Sequence, residues 1–272
     1  MAMAASAGDN PAEGQILVAA LSDRGTRRPV NEDACGIYVE SPTCVLAVVA
    51  DGVSGHEGGE VASQTAVEVT LRAFRESPAS WGPLKRIHRA AQQANIEIHD
   101  RALVVTELNG MATTLTAIVI FDGILHAAHI GDSRLYLVRD GTILQKTKDH
   151  TVAAERTRIG LSMRQKAHPD RSTLTRSLGR ELIAAIDRIT FPLVKGDVLL
   201  VCSDGLYNVL EDDELRDQAT VGDQSDACEA LVRTANARGT PDNLTAAVLK
   251  ITTETQSAPV GWRTVLDRLL GR

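Results

Sequence analysis

Apolar residues along the chain follow two spacings, one typical of strands and one typical of helices. Short runs rich in valine, leucine and isoleucine predict strands, whereas apolar residues repeated every three or four positions predict amphipathic helices. The predicted strands are 15–21, 34–39, 44–50, 186–191, 197–202 and 244–251. The predicted helices are 62–73, 84–98, 211–218 and 226–237.

Two consecutive hairpins are predicted within 113–146, where two Asp-Gly pairs separate apolar runs. Asp122-Gly123 and Asp140-Gly141 supply residues that tolerate the positive φ angles of a two-residue hairpin turn. Strands joined by hairpins, with helices grouped between them, indicate an α+β layered fold rather than an alternating parallel one.

Three segments lack the periodicity of a core. The polar segment 149–179 predicts short helices and loop over the surface. Residues 1–14 are small and polar, without the basic and apolar parts of a signal peptide, and predict a disordered lead-in to one domain over 15–252. Residues 253–272 predict a linker and a short amphipathic helix that either packs on the domain or binds a partner. The apolar stripe of that helix is Trp262, Val265, Leu266, Leu269 and Leu270.

Composition and charge exclude several classes of protein. The 272 residues are 43% hydrophobic and 24% charged, as expected of a soluble globular protein. A net charge of −6 without a basic run argues against nucleic-acid binding. No apolar run approaches the ~20 residues that span a bilayer, so no membrane insertion is expected. The cysteines lack the spacing of zinc sites or disulfide frameworks, which favours a reducing, cytoplasmic location. They are Cys35, Cys44, Cys202 and Cys228.

Acidic residues stand at the ends of four predicted strands. A single aspartate beside glycine after a strand is an ordinary turn, but four such positions together suggest a shared site. Carboxylates that converge at one end of a sheet repel each other and raise each other's pKa unless cations neutralise them. Oxygen ligands select Mg²⁺ or Mn²⁺ over zinc. The four positions are Asp33, Asp51, Asp204 and Asp242.

The glycine-rich segment 51–60 precedes a predicted helix and could be mistaken for a nucleotide-binding loop. It lacks both the Lys-Ser/Thr of a P-loop and the GxGxxG spacing, which argues against nucleotide binding. Gly52, without a Cβ, either lets the chain approach an ion closely or serves the turn alone. Both interpretations of Gly52 remain open at this point.

Taken in order, eight motifs resemble those of the metal-dependent protein phosphatase family, type 2C, and in particular its compact bacterial serine/threonine phosphatases. The resemblance implies a β-sandwich of two antiparallel sheets flanked by helices on both sides, a four-layer α/β/β/α arrangement with the metal centre at one end. It also implies that 149–179 is the variable flap beside that centre. The motifs are 28–33, 51–63, 110–114, 131–134, 149–151, 174–179, 196–206 and 242–245.

The same resemblance assigns roles to individual residues. Asp132 corresponds to a ligand of a third ion in bacterial members, and Arg28 to the arginine that binds the substrate phosphate. A solvated surface arginine is the alternative for Arg28. The two-metal core is implied to be held by the carbonyl oxygen of Gly52 and by four carboxylates, Asp33, Asp51, Asp204 and Asp242.

These parts imply a hydrolytic mechanism without a covalent phosphoenzyme. In the mechanism that the resemblance implies, two Mn²⁺ or Mg²⁺ ions ~4 Å apart would share a bridging water, lower its pKa and direct it at phosphorus. The planar fork of Arg28 holds two phosphate oxygens. Cys202 is therefore interpreted as buried filling rather than as a nucleophile.

Two positions differ from the family pattern, and three histidines need an interpretation of their own. Some relatives have a histidine that protonates the leaving group where Val53 stands here, and often a glycine where Ala112 stands. We expect only a local packing adjustment at Ala112. His56 is interpreted as a loop residue, and His150 and His168 as structural hydrogen-bonding residues.

The predicted function is hydrolysis of phosphoserine and phosphothreonine in proteins by a monomer that reverses a bacterial serine/threonine kinase. Its partners are the phosphorylated proteins, the cognate kinase and that kinase's targets. One alternative is a non-catalytic phosphoprotein-binding module of the same fold that has lost its metals, against which the five aspartates and Arg28 argue. The other is a metallohydrolase of small phosphate esters, which substrate profiling would separate.

Overall fold

The computed structural model describes residues 16–53, 58–78, 80–160 and 172–252. Within these residues, ten strands form two five-stranded sheets in which all neighbouring strands are antiparallel. The strands are β1 (Ile16–Asp23), β2 (Asp33–Ser41), β3 (Cys44–Asp51), β4 (Leu115–Phe121), β5 (Ile124–Ile130), β6 (Arg134–Arg139), β7 (Thr142–Gln145), β8 (Asp187–Pro192), β9 (Val198–Cys202) and β10 (Leu244–Ile251).

Strand order divides the chain between the two sheets. The first sheet has the order β1-β10-β9-β6-β7, and the second has the order β2-β3-β4-β5-β8. The long helices α1 (Gly59–Glu76) and α2 (Pro83–Val104) pack on the second sheet. Shorter helices are α3 (Val152–Arg158), α4 (Asp204–Tyr207), α5 (Asp212–Ala219) and α6 (Gln224–Ala237), of which α5 and α6 pack on the first sheet. The four-layer α/β/β/α sandwich is confirmed.

Strand β3 shows why its sequence is apolar at nearly every position. Both of its faces are covered, so alternate side chains enter different cores. Val45 and Val49 point into the core between the two sheets. Leu46 and Val48 point into the core between the second sheet and helices α1 and α2. A third core lies between the first sheet and helix α6.

Both predicted hairpins are confirmed, but they lie in different sheets. Asp122 and Gly123 have φ angles of 48° and 75°, and Asp140 and Gly141 have φ angles of 50° and 72°. Positive φ at both central residues is what a two-residue type I′ hairpin turn requires. The first hairpin joins β4 to β5 in the second sheet, and the second joins β6 to β7 in the first. The chain therefore crosses between sheets at 131–133, a crossing that the periodicity did not predict.

One end of the sandwich collects the strand ends that carry acidic residues. We call it the aspartate end, defined by Asp33, Asp51, Asp132, Asp204 and Asp242. Strands β2, β6 and β10 begin there, while β3, β5 and β9 end there.

The remaining segments are only partly described. Within the predicted flap, helix α3 begins after Thr151, whose side chain accepts a hydrogen bond from the backbone of Ala154 (3.2 Å). Residues 161–171 of the flap, the lead-in 1–14 and the C-terminal stripe within 253–272 lie outside the described residues, so their predictions stay predictions, as do the domain limits. No helix in the described part is long and apolar enough to cross a membrane.

Candidate metal centre

Asp33 and Asp51 lie directly opposite each other on neighbouring strands. Asp33 is the first residue of β2 and Asp51 the last of β3, and the antiparallel register pairs the two residues. Side chains at paired positions project from the same face of a sheet. Like charges so placed destabilise a sheet, and Asp33 is only 6% exposed. The pair is therefore a costly feature of the fold in the absence of a neutralising charge.

Two threonines before β4 hold the backbone of Asp51. The backbone N–H of Asp51 donates to Oγ1 of Thr114 (2.9 Å), and its carbonyl accepts from the N–H of Thr114 (2.8 Å) and the hydroxyl of Thr113 (2.9 Å). Thr114 is also hydrogen-bonded to the hydroxyl of Ser133 (2.6 Å). These contacts fix Asp51 against the crossing that carries Asp132.

The glycines after Asp51 and Asp204 are required by close packing of backbone on backbone. A Cβ on Gly52 would lie 2.3 Å from the carbonyl oxygen of Gly59 and 2.7 Å from that of Glu32. A Cβ on Gly205 would lie 2.0 Å from the carbonyl oxygen of Asn243. A steric reason therefore suffices for glycine at 52, and the role of its carbonyl as a ligand stays a prediction.

The other three aspartates reach the same end from different elements. Asp204 follows β9 and begins α4, and Asp242 lies just before β10. Asp132 lies in the crossing from β5 to β6, where its carbonyl accepts a hydrogen bond from the hydroxyl of Tyr207 (3.0 Å). The structure thus brings together all five aspartates that the sequence singled out.

Burial and mutual repulsion raise the pKa values of four of these carboxyl groups. Burial is the largest cause in each case, and it raises the pKa of Asp33 to about 6 and that of Asp132 to about 7. The pKa values of Asp51 and Asp204 lie well above the ordinary range, because further aspartates add to the effect of burial. Near neutral pH the cluster cannot carry all its negative charges unless cations enter.

The chemistry of these donors fits a hard divalent cation, although the side chains are turned toward protein donors. Asp33 accepts from the hydroxyl of Ser203 (2.6 Å), and Asp204 accepts from the side-chain amide of Asn208 (3.0 Å). Across the described ranges, no three acidic, histidine or cysteine side chains already stand in an arrangement that could hold an ion. Each of these two hydrogen bonds uses Oδ2 alone, and a carboxylate that keeps such a bond can still bind a cation through its other oxygen.

Arg28 stands at the rim of the cluster and contacts one of its aspartates. Its Nη2 donates to Oδ2 of Asp242 (2.8 Å), and its Nε donates to the carbonyl of Pro241 (3.2 Å). Its side chain is 32% exposed. Arg28 is therefore hydrogen-bonded to a candidate ligand, and its role in binding phosphate stays a prediction.

Asn243 positions the loop that carries Arg28, a role the sequence did not indicate. Its side-chain oxygen accepts from the backbone N–H of Glu32 (2.9 Å). Its side-chain amide donates to the carbonyls of Arg24 (2.8 Å) and Val30 (3.0 Å). The available signal was its place between Asp242 and the predicted strand 244–251.

Ser203 is a second residue that the sequence interpretation left without a role. Its hydroxyl donates to Asp33 and accepts from the backbone N–H of Thr245 (3.0 Å), so it ties β2 to β9 and β10. It precedes Asp204 in the chain. A small hydroxyl beside a candidate ligand was the signal that could have identified it.

The histidine and cysteine interpretations agree with the described contacts. Nδ1 of His150 accepts from the backbone N–H of Gly131 (3.1 Å), and its Nε2 lies 3.2 Å from Oδ2 of Asp187. These contacts fit a structural role for His150. Cys202 is buried, and burial raises the pKa of its thiol to about 12, so it is not a thiolate nucleophile. His56 and His168 lie outside the described residues.

Comparison with known sequences gives one family. The sequence model of the family described as protein phosphatase 2C matches residues 25–249. The serine/threonine phosphatase stp of Listeria welshimeri is 34% identical over 235 residues, which cover 82% of this chain and 91% of that protein. The serine/threonine protein phosphatase PstP of Mycobacterium tuberculosis is 34% identical over 239 residues, which cover 87% of this chain and 45% of that protein.

Solved structures give the same result. The crystal structure of the Mycobacterium tuberculosis phosphatase PstP/Ppp superposes with a TM-score of 0.77 at 33% identity, covering 87% of this chain and 98% of that one. The catalytic domain of PstP in complex with two manganese ions gives a TM-score of 0.74 at 32% identity, with the same two coverages.

The family match spans most of the chain and includes all five aspartates of the cluster. Relatives at 34% identity and superposable structures agree with it. The chain therefore belongs to the protein phosphatase 2C family, which is metal-dependent, and it is a protein-serine/threonine phosphatase of the bacterial type.

Proposed function

We propose that the aspartate end is the catalytic centre at which this enzyme hydrolyses phosphoserine and phosphothreonine in proteins. The observation that carries the proposal is the direct pairing of Asp33 with Asp51 inside a cluster of five buried or half-buried aspartates. The named relatives are serine/threonine phosphatases, which favours this function over a metal-free binding module or a small-phosphoester hydrolase.

Two divalent cations, Mn²⁺ or Mg²⁺, are proposed as the cofactors of this cluster. Their ligands would be the carboxylates of Asp33, Asp51, Asp204 and Asp242 with the carbonyl oxygen of Gly52, and Asp132 would help to hold a third ion. When bound, such cations activate a water for attack on phosphorus and offset the charge that builds on the phosphoryl oxygens.

The chain's own contacts would keep these ligands in place during the reaction. Ser203 holds Asp33 from the side of β9, and the two threonines before β4 hold the backbone of Asp51. Such supporting hydrogen bonds fix the direction of a ligand and limit the reorganisation needed when charge moves. The loop that bears Arg28 is fixed in the same way by Asn243.

Arg28 is proposed to bind the phosphate of the substrate. It stands beside Asp242 at the partly exposed rim, where a phosphorylated side chain can reach it. Its planar guanidinium can hold two phosphate oxygens and so fix the direction of attack. A lysine has the charge but not the two parallel N–H groups, so it would replace Arg28 only in part.

The test is hydrolysis of a phosphothreonine peptide with Mn²⁺. We expect a chelator to abolish turnover, and Arg28→Ala to lower kcat/KM by about 100-fold, with Arg28→Lys between the two. Arg75→Ala, which removes an exposed arginine from the last turn of α1, is the matched control and should act like the wild type. Turnover that survives the chelator, or an Arg28→Ala enzyme equal to the control, would overturn the proposal.

We further propose that the substrates are targets of a cognate serine/threonine kinase and that the enzyme acts as a cytoplasmic monomer. The four cysteines are all free thiols, three of them buried, which fits a reducing compartment. Phosphoproteome comparison of cells with and without the enzyme would test the first part. Sites that accumulate phosphate only while the kinase is present are the expected result.

A further inference from the structure

A groove lined by basic residues runs between helix α2 and strand β8, outside the catalytic centre. It consists of two adjoining clefts of about 690 and 540 Å³ that share His88 and Arg188. We call it the basic groove. His126 is a further lining residue, and the permanent cations that line it are Lys85, Arg89, Lys146, Lys148 and Arg188.

The described residues do not neutralise the positive charge of the basic groove. Within the described residues, none of its five permanent cations forms an ion pair with a carboxylate. Among the described residues that line the groove, Asp187 supplies the carboxylate, and it is already paired with Arg176 (2.9 Å). Several arginines outside the groove do form ion pairs, as Arg86 does with Glu40 (2.7 Å). In a chain of net charge −6, such segregated positive charge fits an anionic partner.

Arg188 and His88 show how closely the basic groups approach one another. Nη2 of Arg188 lies 3.4 Å from Nδ1 of His88, across the cleft between β8 and α2. Arg188 and Arg89 both lower the pKa of His88, after the larger effect of burial. The two arginine side chains are exposed, so an anionic group in solution can reach both.

The groove begins close to the catalytic centre and leads away from it. Asp187, at the start of the edge strand β8, contacts His150, which in turn accepts from Gly131, the neighbour of Asp132. Farther along β8, Thr190 pairs with His126. Thr190 lies three positions along the strand from Asp187, a distance of ~10 Å. An extended peptide of about six residues spans ~20 Å and could therefore reach from the aspartate end into the groove.

We propose that the basic groove binds an acidic stretch of the phosphoprotein substrate beside its phosphorylated residue. This inference rests on the proposed function, because the phosphorylated residue must enter the aspartate end while the flanking chain lies against α2 and β8. Contacts between exposed charges are weakened by salt and act mainly on encounter and affinity. The groove therefore affects KM more than kcat.

The first test compares phosphothreonine peptides that share one core sequence. An acidic tail of about eight residues, enough to pass along the groove, is placed before or after the phosphothreonine, and glutamine replaces its acidic residues in the reference peptides. We expect the wild type to show about tenfold higher kcat/KM for one acidic peptide than for its reference, through KM, and less in high salt.

Two double variants separate the effect of the groove on peptide preference from the effect of the protein's net charge. Arg89→Glu with Arg188→Glu should abolish the preference for the acidic peptide. Arg101→Glu with Arg233→Glu changes net charge equally at exposed positions on α2 and α6 that do not line the groove, and should retain the preference. All three enzymes should hydrolyse a small aryl phosphate at the same rate, which reports an intact catalytic centre.

A binding measurement keeps this inference separate from the proposed function. Fluorescence anisotropy of the unphosphorylated acidic peptide should show salt-sensitive binding to the wild type and none to Arg89→Glu with Arg188→Glu. Failure of the proposed function would appear as no hydrolysis of any phosphate ester, with this binding unaffected. Equal kcat/KM for acidic and reference peptides together with no binding would overturn the inference, as would tighter binding of anionic vesicles or single-stranded DNA.

Discussion

Strand β9 has a buried or half-buried aspartate near each of its ends, and the two meet opposite surroundings. Asp197 precedes the strand, its side chain is 1% exposed, and it accepts from Nε and Nη2 of Arg139 (2.7 and 2.6 Å). It also accepts from the backbone N–H of Val194 (2.8 Å). Asp204 follows the strand and has other aspartates as charged neighbours, whose effect on its pKa Arg28 opposes.

The difference separates a structural carboxylate from one that requires a ligand. At Asp197 the fold supplies a cation in a two-point arrangement, so the buried charge is compensated within the chain. At Asp204 burial and the carboxylates of Asp132, Asp242 and Asp33 together raise the pKa. A group so placed either keeps a proton or acquires a cation from solution. Surroundings, and not residue type, decide which role an aspartate has.

Replacing Asp204 should have the largest effect on catalysis. We expect Asp204→Ala to lower kcat/KM for a phosphothreonine peptide with Mn²⁺ by about 1,000-fold or more, because a lost ligand removes several kcal/mol of charge stabilisation. In the metal-free protein the same change should leave the free energy of unfolding unchanged or raise it, because one repelling carboxylate is gone. Kinetics and thermal unfolding in chelator measure the two effects.

A large loss of kcat/KM together with unchanged or increased stability of the metal-free protein would indicate that Asp204 binds a cation. Activity within tenfold of the wild type would show that Asp204 is not a cation ligand. A metal-free Asp204→Ala protein that unfolds at a much lower temperature would show that Asp204 is structural, as Asp197 is.

At the other end of β9, Asp197→Ala should reduce stability and spare catalysis. The change removes the partner of Arg139 and the acceptor of the Val194 N–H, which together should lower the free energy of unfolding by about 2 kcal/mol. Urea denaturation measures this loss. The folded variant should hydrolyse a small aryl phosphate at the rate of the wild type. A loss of activity as large as that of Asp204→Ala would show that Asp197 is not purely structural.

Local sequence was enough to predict the fold class and the positions of the acidic residues. The Asp-Gly turns at 122–123 and 140–141 and the apolar run of β3 depend on neighbours in the chain, and they were confirmed. Helices α1 and α2 followed from their apolar faces in the same way. Each of these features is set by residues within one or two turns of each other.

Contacts between distant residues could not be predicted. Arg28 and Asp242 are 214 residues apart, and Ser203 and Asp33 are 170 apart. Nothing local to Asp197 distinguishes it from the site aspartates, because its partner Arg139 lies 58 residues away. The resemblance to a known family indicated which distant residues come together, because an ordered set of motifs is typical of one fold. Periodicity alone could not indicate this.

The smallest expected effect is the change in stability with pH that comes from protonation of Asp33. It is also the effect most specific to a single carboxyl group. In the metal-free protein the pKa of Asp33 is about 6, against an ordinary value of 3.8. Between these two values the folded state binds more protons at Asp33 than the unfolded state does, so the contribution of Asp33 to stability falls as pH rises. The slope is at most about 1.4 kcal/mol per pH unit for one proton.

Buried histidines act in the opposite sense, so the comparison must be with Asp33→Asn. Burial lowers the pKa of His129 to about 4, and its contribution therefore rises with pH from about 4 to its ordinary 6.5. Asparagine keeps the size of Asp33 without its titration. In chelator, urea denaturation from pH 4 to pH 7 should show the wild type losing stability relative to Asp33→Asn as pH rises. Saturating Mn²⁺ should reverse that trend, because cation binding requires the ionised carboxylates, and a difference independent of pH would mean that Asp33 is ionised throughout.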